Sequence, residues 1–533
     1  MDDHRGPAAD APSGGLEAHS DGEPAGQSSL RSRLRHAVGA RVGIDRRALA
    51  AFRIGIGIVL LVDLGLRARN LTTFYTDAGV YPRSALAETY PLAARFSLHA
   101  LSGEAWVVGL LFLAGGLAAV ALAVGYRTRV AAAVSLVLLA SLQARNPFVL
   151  NAGDKLLWQL LGAGLFCPLG ARWSVDAVRR RGSIDGSTGR QGAGRDRFVG
   201  PASALLLAVV ATVYVANGIE KLRGTAWPRG EAVEQVFRLT YLHGPLGGLL
   251  PEAPALFTAA TYGWLALLVA SPLLVASAGR VRAALAGSLV AAHLSMTLTL
   301  QLGVFPLISA AALLPFFPPS VWDRVEGGVG STSGRLRRAA ASVPGGLHNA
   351  ARADGTDQAA RADGTDRVDR ATRERVVALV AVVLLASVLM WNGMAAGLVD
   401  APEPVAATAD PAEHGWDMFA PDPSSTDALL LATATTADGD AFDALHGDPV
   451  AADRPPSDAR AYPTARWRKY LTLLAADEAP SRVDPLLAHL CDRPAGDAGA
   501  AVASVTVSTV EIDVSEGGEP RVTELGTREC RPR

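Results

Sequence analysis

Lysine is almost missing from this chain. Of 50 basic residues, only Lys155, Lys221 and Lys469 are lysines, and arginine supplies the rest. A guanidinium keeps its charge at any ordinary pH, whereas a desolvated lysine can give up its proton and act as a base. Charge of either sign is also scarce: 19% of the 533 residues are charged, against about a quarter in soluble domains, and half are apolar. That balance excludes an ordinary soluble protein and indicates a membrane protein. Cysteine is limited to Cys167, Cys491 and Cys530, with no Cys-x-x-Cys and no zinc spacing, so no metal site is expected. Cys167 lies in an apolar run and reads as a small core residue. Cys491 and Cys530 would allow one disulfide in an oxidising compartment. Phosphate loops, a Ser-His-Asp arrangement and inverted repeats are likewise not evident, and nucleic acid is not among the expected partners.

Long apolar runs are what the chain does have. Nine candidates to cross a hydrocarbon core about 30 Å thick run near Ala48–Leu66, Ala105–Gly125, Val130–Leu142, Leu156–Leu169, Pro201–Ile219, Leu256–Ala278, Val281–Leu302, Val304–Phe317 and Val376–Leu398. The fourth and eighth are short enough to be re-entrant. Arginines cluster in every second connection along this series, which places them all on one side. Arg41, Arg46 and Arg47 precede the first run, Arg127 and Arg129 follow the second, and Arg172, Arg179, Arg180 and Arg181 follow the fourth. Arg280 and Arg282 follow the sixth, and Arg335, Arg337 and Arg338 the eighth. The positive-inside rule then puts the N-terminus in the cytoplasm of a multi-pass cell-membrane protein. An odd number of spans puts the C-terminal part outside. That part, Ala401–Arg533, holds 23 acidic and 11 basic residues, leaving 28 acidic and 39 basic for the first 400.

The expected fold is mainly α: a polytopic helical membrane bundle of 8–9 spans followed by a small α+β extracytoplasmic domain. Residues 1–40 read as a disordered tail, not a signal peptide, and 41–324 as the transmembrane domain. Residues 325–372 read as a disordered cytoplasmic linker carrying the duplicated Ala351–Asp357 and Ala360–Asp366, 373–399 as a further span, and 400–533 as the acidic domain. Strands are expected over Ala428–Thr436 and Val502–Val514, with turns at Asp438-Gly439 and Gly517-Gly518. Short helices are expected over Tyr462–Leu474 and Pro485–Cys491.

Polar residues inside the apolar runs are the candidate site. Asn217 and Lys221 are four apart and share a helix face, with Glu220 beside them and Trp227 and Gly230 in the following loop. Lys221 could simply snorkel to the interface and pair with Glu220 or lipid phosphate. Charge beside a span is also a functional-site hypothesis. His293, Thr297 and Gln301 recur every four residues in the seventh run, either as a hydrogen-bonded seam between helices or as the lining of a cavity that needs a proton carrier. Asn151, Lys155 and Gln159 form a similar stripe, with Asp154 placed to neutralise Lys155. In the first run Asp63 can reach Arg67 one turn on, while Arg53 needs a partner from elsewhere.

Several stretches in order resemble the HTTM family, the horizontally transferred transmembrane domain shared with vitamin K-dependent gamma-carboxylases. They are Phe52-Arg53-Ile54-Gly55 with Asp63; Phe74–Arg83; Trp173–Asp176; Asn217-Gly218-Ile219-Glu220-Lys221-Leu222 with Trp227 and Gly230; His293; Gly303–Pro306; and Pro318–Trp322. Gly415–Pro423 and Ala465–Tyr470 resemble tail segments of prokaryotic members. The resemblance implies a lysine base at Lys221 that deprotonates a reduced naphthoquinone, whose reaction with oxygen yields the base for carboxylating a glutamate. It further implies that His293 orients the oxygen species or the base. Catalytic candidates are therefore Lys221, His293 and Asn217, with Thr297, Gln301 and Trp227 toward the cofactor. Expected partners are the bilayer, a lipophilic quinone and an extracytoplasmic protein or peptide. The sequence departs from the animal carboxylases at Asn151-Ala152, where they carry Asn-His, and its outer domain is smaller. A non-enzymatic membrane scaffold or lipid-binding protein is the alternative.

Overall fold

All nine apolar runs fall on helices in the computed structural model, which describes residues 33, 36–182, 196–251, 253–328, 365–450, 462–476, 480–492, 502–514 and 519–530. The N-terminal tail, the duplicated linker, most of Gly182–Arg197 and the Gly517-Gly518 turn lie outside these residues. The helices are α1 (Arg46–Ala68), α2 (Ala105–Val124), α3 (Thr128–Arg145), α4 (Ala152–Leu165), α5 (Pro201–Arg223), α6 (Pro254–Val269), α7 (Gly279–Thr299), α8 (Phe305–Leu313) and α9 (Thr365–Ala395). Local chemistry sets their ends. Asp45 caps α1 by accepting from the Arg47 amide, and α2 stops at Gly125 in the left-handed region. At the start of α4, Asn151 and Asp154 form a reciprocal capping box.

Among the described residues six helices are long and apolar enough to cross a membrane: α1, α2, α3, α5, α7 and the Thr372–Ala395 part of α9. A bent pair, Phe305–Phe316 with Pro319–Gly328, makes a seventh if it is taken as one span. Eight or nine were expected, and the difference has physical causes. The 14 residues of α4 reach only about 21 Å and the 16 residues of α6 about 24 Å, short of the hydrocarbon core. After α8 the chain turns by 106° where Pro315, Pro318 and Pro319 cannot continue a helix. The bundle core joins α1, α4, α5, α7 and α8 through Phe52, Leu160, Leu206, Leu289 and Ile308. Helices α1 and α2 cross closely at Gly57, where a Cβ would come within 2.7 Å of the Ala123 methyl. Trp106, Leu110, Leu113 and Leu117 of α2 and Leu379, Val383 and Leu389 of α9 point outward, as surfaces facing lipid do.

The acidic part holds an antiparallel sheet of β3 (Thr426–Thr436), β4 (Ala441–Asp443), β5 (Val502–Asp513) and β6 (Arg521–Glu529) in the order β4-β3-β5-β6. Two further two-residue strands, β1 (Ile44–Asp45) and β2 (Arg197–Phe198), pair beside the start of α1. Helices α10 (Ala465–Ala476) and α11 (Pro480–Cys491) complete the C-terminal region, and Cys491 is bonded to Cys530. Strands β4 and β6 were not anticipated. Phe74 and Tyr75, from the short helix Leu71–Tyr75 after α1, and Val80 beyond it share a core with Trp467, Tyr470 and Leu471 of α10, so the two parts of the chain are packed as one. The ring centroids of Phe74 and Trp467 are 4.9 Å apart.

A closed square of four charges lies in this junction. Arg67 Nε donates to Asp63 at 2.7 Å, and Arg67 Nη2 donates to Asp154. Arg466 completes the square with Asp63 at 2.8 Å and Asp154 at 2.6 Å. Tyr75 OH and the Val149 carbonyl accept the remaining guanidinium bonds at 2.8 and 2.6 Å. Asp154 is thus not the partner of Lys155, as expected from their adjacency; Lys155 instead donates to the His414 carbonyl and stands 4.6 Å from the Trp416 ring. Arg53 finds its partner in the Trp173 carbonyl, at 2.6 Å. Removing one member of a buried charge set leaves the others uncompensated. Arg466→Ala should therefore lower stability by about 3–5 kcal/mol, read as a drop in the thermal unfolding midpoint of detergent-purified protein; an unchanged midpoint would contradict this role.

Candidate functional site

Tyr214, Asn217 and Lys221 are three and four residues apart in α5, so one helix face carries all three. Each is buried, Lys221 to 1% exposure. They face a cavity of about 430 Å³ bounded by α5, α6, α7 and the Met418-Phe419 segment. Its walls are mostly apolar, among them Val213, Phe257, Trp264, Leu267, Met296 and Phe305.

Lys221 Nζ donates to the carbonyls of Met418 and Phe419 and stands 4.2 Å from the Trp227 ring. No carboxylate forms an ion pair with it among the described residues; Glu220 pairs with Arg223 instead. Asn217 Nδ2 donates to the Trp416 and Met418 carbonyls at 2.9 and 3.2 Å, and Trp227 Nε1 to the Phe419 carbonyl at 2.7 Å. Phe419 has φ 53°, a left-handed conformation that is costly for a bulky residue. Three donors converging on the carbonyls of 418 and 419 hold it there. The segment is also tied from the other side: Asp422 accepts the Thr225 and Ala226 amides at 2.8 and 2.7 Å. Gly224 permits this approach, because a Cβ there would lie 2.1 Å from the Pro421 carbonyl oxygen.

His293 enters from α7. One ring nitrogen, Nε2, meets Tyr214 OH at 3.0 Å, and the other, Nδ1, is buried without a hydrogen-bond partner. Trp264 and Phe305 surround the imidazole edge-on, with centroids 5.6 and 5.9 Å away. The expected stripe does not continue past it. Thr297 turns its hydroxyl back to the His293 carbonyl, and α7 ends at Thr299, so Gln301 leaves the helical face and reaches toward the Tyr462 carbonyl at 3.4 Å. Neither Thr297 nor Gln301 lines the cavity, whereas Lys221, Asn217, Trp227 and His293 do. Sequence reasoning missed Tyr214, which the spacing to Asn217 and Lys221 would have revealed. It also missed that Met418 and Phe419, within Gly415–Pro423, form a wall of the site.

Six apolar helices long enough to cross a bilayer define an integral membrane protein, and a buried amine and a buried imidazole stand at the wall of its apolar internal cavity. The HTTM domain profile matches residues 42–322, which is 281 of the 533 residues, and the chain belongs to the HTTM domain family, the family related to gamma-carboxylase. No curated protein and no solved structure shows significant similarity to it.

Lys221→Met should leave the Met418 carbonyl short of a donor, at a cost of about 1–3 kcal/mol. Hydrogen exchange of the Trp416–Phe419 amides should then speed up relative to the β3–β5 ladder. Equal protection in variant and parent would remove the lysine from the clamp.

Proposed function

We propose that this protein binds a reduced quinone of the naphthoquinone type in the α5–α6–α7 cavity, with Lys221 as proton acceptor in a carboxylase- or epoxidase-like reaction. One observation carries the reading: a buried lysine without a carboxylate partner and a buried histidine with a free ring nitrogen face the same apolar cavity. The residues fit such a ligand. A fused ring with an isoprenoid tail needs an apolar slot between helices, which Trp264, Leu267 and Met296 supply. A ring oxygen needs a donor or acceptor inside that slot, and His293 Nδ1 is unpaired there. When bound, the reduced quinone would supply, with dioxygen, the strong base that glutamate carboxylation requires.

The chain's own residues do the rest. Lys221 accepts a proton at Nζ, and the Met418 and Phe419 carbonyls accept hydrogen bonds from the ammonium so formed. The Trp227 face adds a cation–π contact to that ammonium. Tyr214 holds His293 Nε2, leaving Nδ1 directed at the ligand. Met418 and Phe419 line one wall of the site. In the orientation given by the arginine-rich loops, the C-terminal region lies outside the cell and brings a peptide substrate to this end. Protease added to intact cells should then cut within the C-terminal region; complete protection would reverse the topology.

A second reading has its own support. The hydrogen bonds of Lys221 and Asn217 go to the 416–419 backbone, so the lysine acts as a clamp, as a scaffold would need. Ala152, where the animal carboxylases carry histidine, follows the α4 cap and adds no imidazole. Two measurements separate the readings. Lipid extraction of the purified protein should yield a naphthoquinone at about one per chain. Lys221→Arg keeps charge and reach but cannot give up its proton, so it should fold and yet lose oxygen-dependent incorporation of carbon dioxide into a glutamate peptide. Parental incorporation by Lys221→Arg would discard the base; an extract without quinone, and no incorporation by the parent, would favour the scaffold.

A further inference from the structure

A second, smaller cavity, of about 200 Å³, lies between the start of α1, the start of α7 and the Pro315–Pro319 turn. Two arginines line it. Arg282, only 3% exposed, donates from Nη1 to the Arg41 carbonyl at 2.8 Å and lies over Phe316 at 4.9 Å. Its Nε and Nη2 are buried without partners. Arg197 donates from Nη2 to the Ala40 and Gly43 carbonyls at 3.1 and 2.8 Å, and its Nε is likewise buried and unpartnered. The acid in the wall, Asp45, is already engaged: its Oδ1 accepts from Arg47 N and Nε at 2.8 and 3.1 Å, and its Oδ2 from Arg47 Nη2 at 2.9 Å. The wall also includes Ala278 and Gly279, where α7 begins. The N-cap residue Ala278 has no side-chain acceptor for the first-turn amides.

Two like charges around one small cavity repel, and buried guanidinium N–H groups without acceptors are costly. Water could satisfy the N–H groups but would not neutralise two charges. A tetrahedral oxyanion does both. Its oxygens match the planar fork of a guanidinium, and the positive end of α7 adds to the attraction. Basic pockets between membrane helices take anionic headgroups in this way. The geometry points to an oxyanion site of phosphate chemistry at Arg197 and Arg282, distinct from the Lys221 cavity and formed by residues the proposed chemistry does not use.

The source of the phosphate, free or as a phospholipid headgroup, is decided by the ligand used. The full chain in neutral detergent is titrated with inorganic phosphate, and separately with short-chain phosphatidylglycerol or phosphatidylcholine, while the unfolding midpoint is followed. A saturable rise with phosphatidylglycerol but not phosphatidylcholine assigns a headgroup; a saturable rise with inorganic phosphate assigns the free anion. In either case Arg282→Gln should weaken the apparent affinity at least tenfold, as should Arg197→Gln if the first variant fails to fold. A parent that responds saturably to neither anion overturns the proposal, and so does a response that persists unchanged in both variants.

Discussion

Two carboxylates among membrane helices set the terms for the rest of this molecule. Asp63 on α1 and Asp154 on α4 are both buried, and the bundle itself supplies only one guanidinium between them, Arg67. The second, Arg466, comes from α10 in the C-terminal region. Without it the helices would hold a net buried negative charge, which a low-dielectric interior penalises heavily. The C-terminal region is therefore a structural part of the bundle. Its docking at Arg466 and on Phe74 carries the Trp416–Pro423 segment to the end of α5.

From that docking the candidate site follows. The carbonyls of Met418 and Phe419 would be unpaired inside the protein without donors, and Lys221, Asn217 and Trp227 supply them. The same three side chains border the apolar cavity that His293 enters from α7. Closing the cavity with backbone carbonyls has a chemical consequence. Such a wall accepts two hydrogen bonds from Lys221 without forming an ion pair with it. The proposed base chemistry and the clamp therefore use one residue.

Much of this was legible in the sequence for clear reasons. The apolar runs found the helices because a bilayer demands long uninterrupted apolar segments. Lys221 stood out because the chain otherwise uses arginine. What was not legible depends on contacts far apart in the chain or on where helices stop. Of the two arginines that pair with Asp154, Arg466 lies 312 residues away, while the adjacent Lys155 looked sufficient. Thr297 and Gln301 fitted a helical stripe, but α7 ends at Thr299, and apolar Leu300 and Leu302 on either side of Gln301 gave no sign of that end. Strand β6 was missed because an exposed edge strand has no buried face to impose alternation, and Arg521–Glu529 is largely solvent-facing. Tyr214 was overlooked although its spacing to Asn217 was visible.

The most direct test of the central claim is photocrosslinking of the detergent-purified protein with a light-activated naphthoquinone carrying an isoprenoid tail. The account predicts label on peptides containing Trp264, His293 or Met296, suppressed by excess unlabelled naphthoquinone. Label confined to the outward face of α2 or α9, undiminished by competitor, would contradict it.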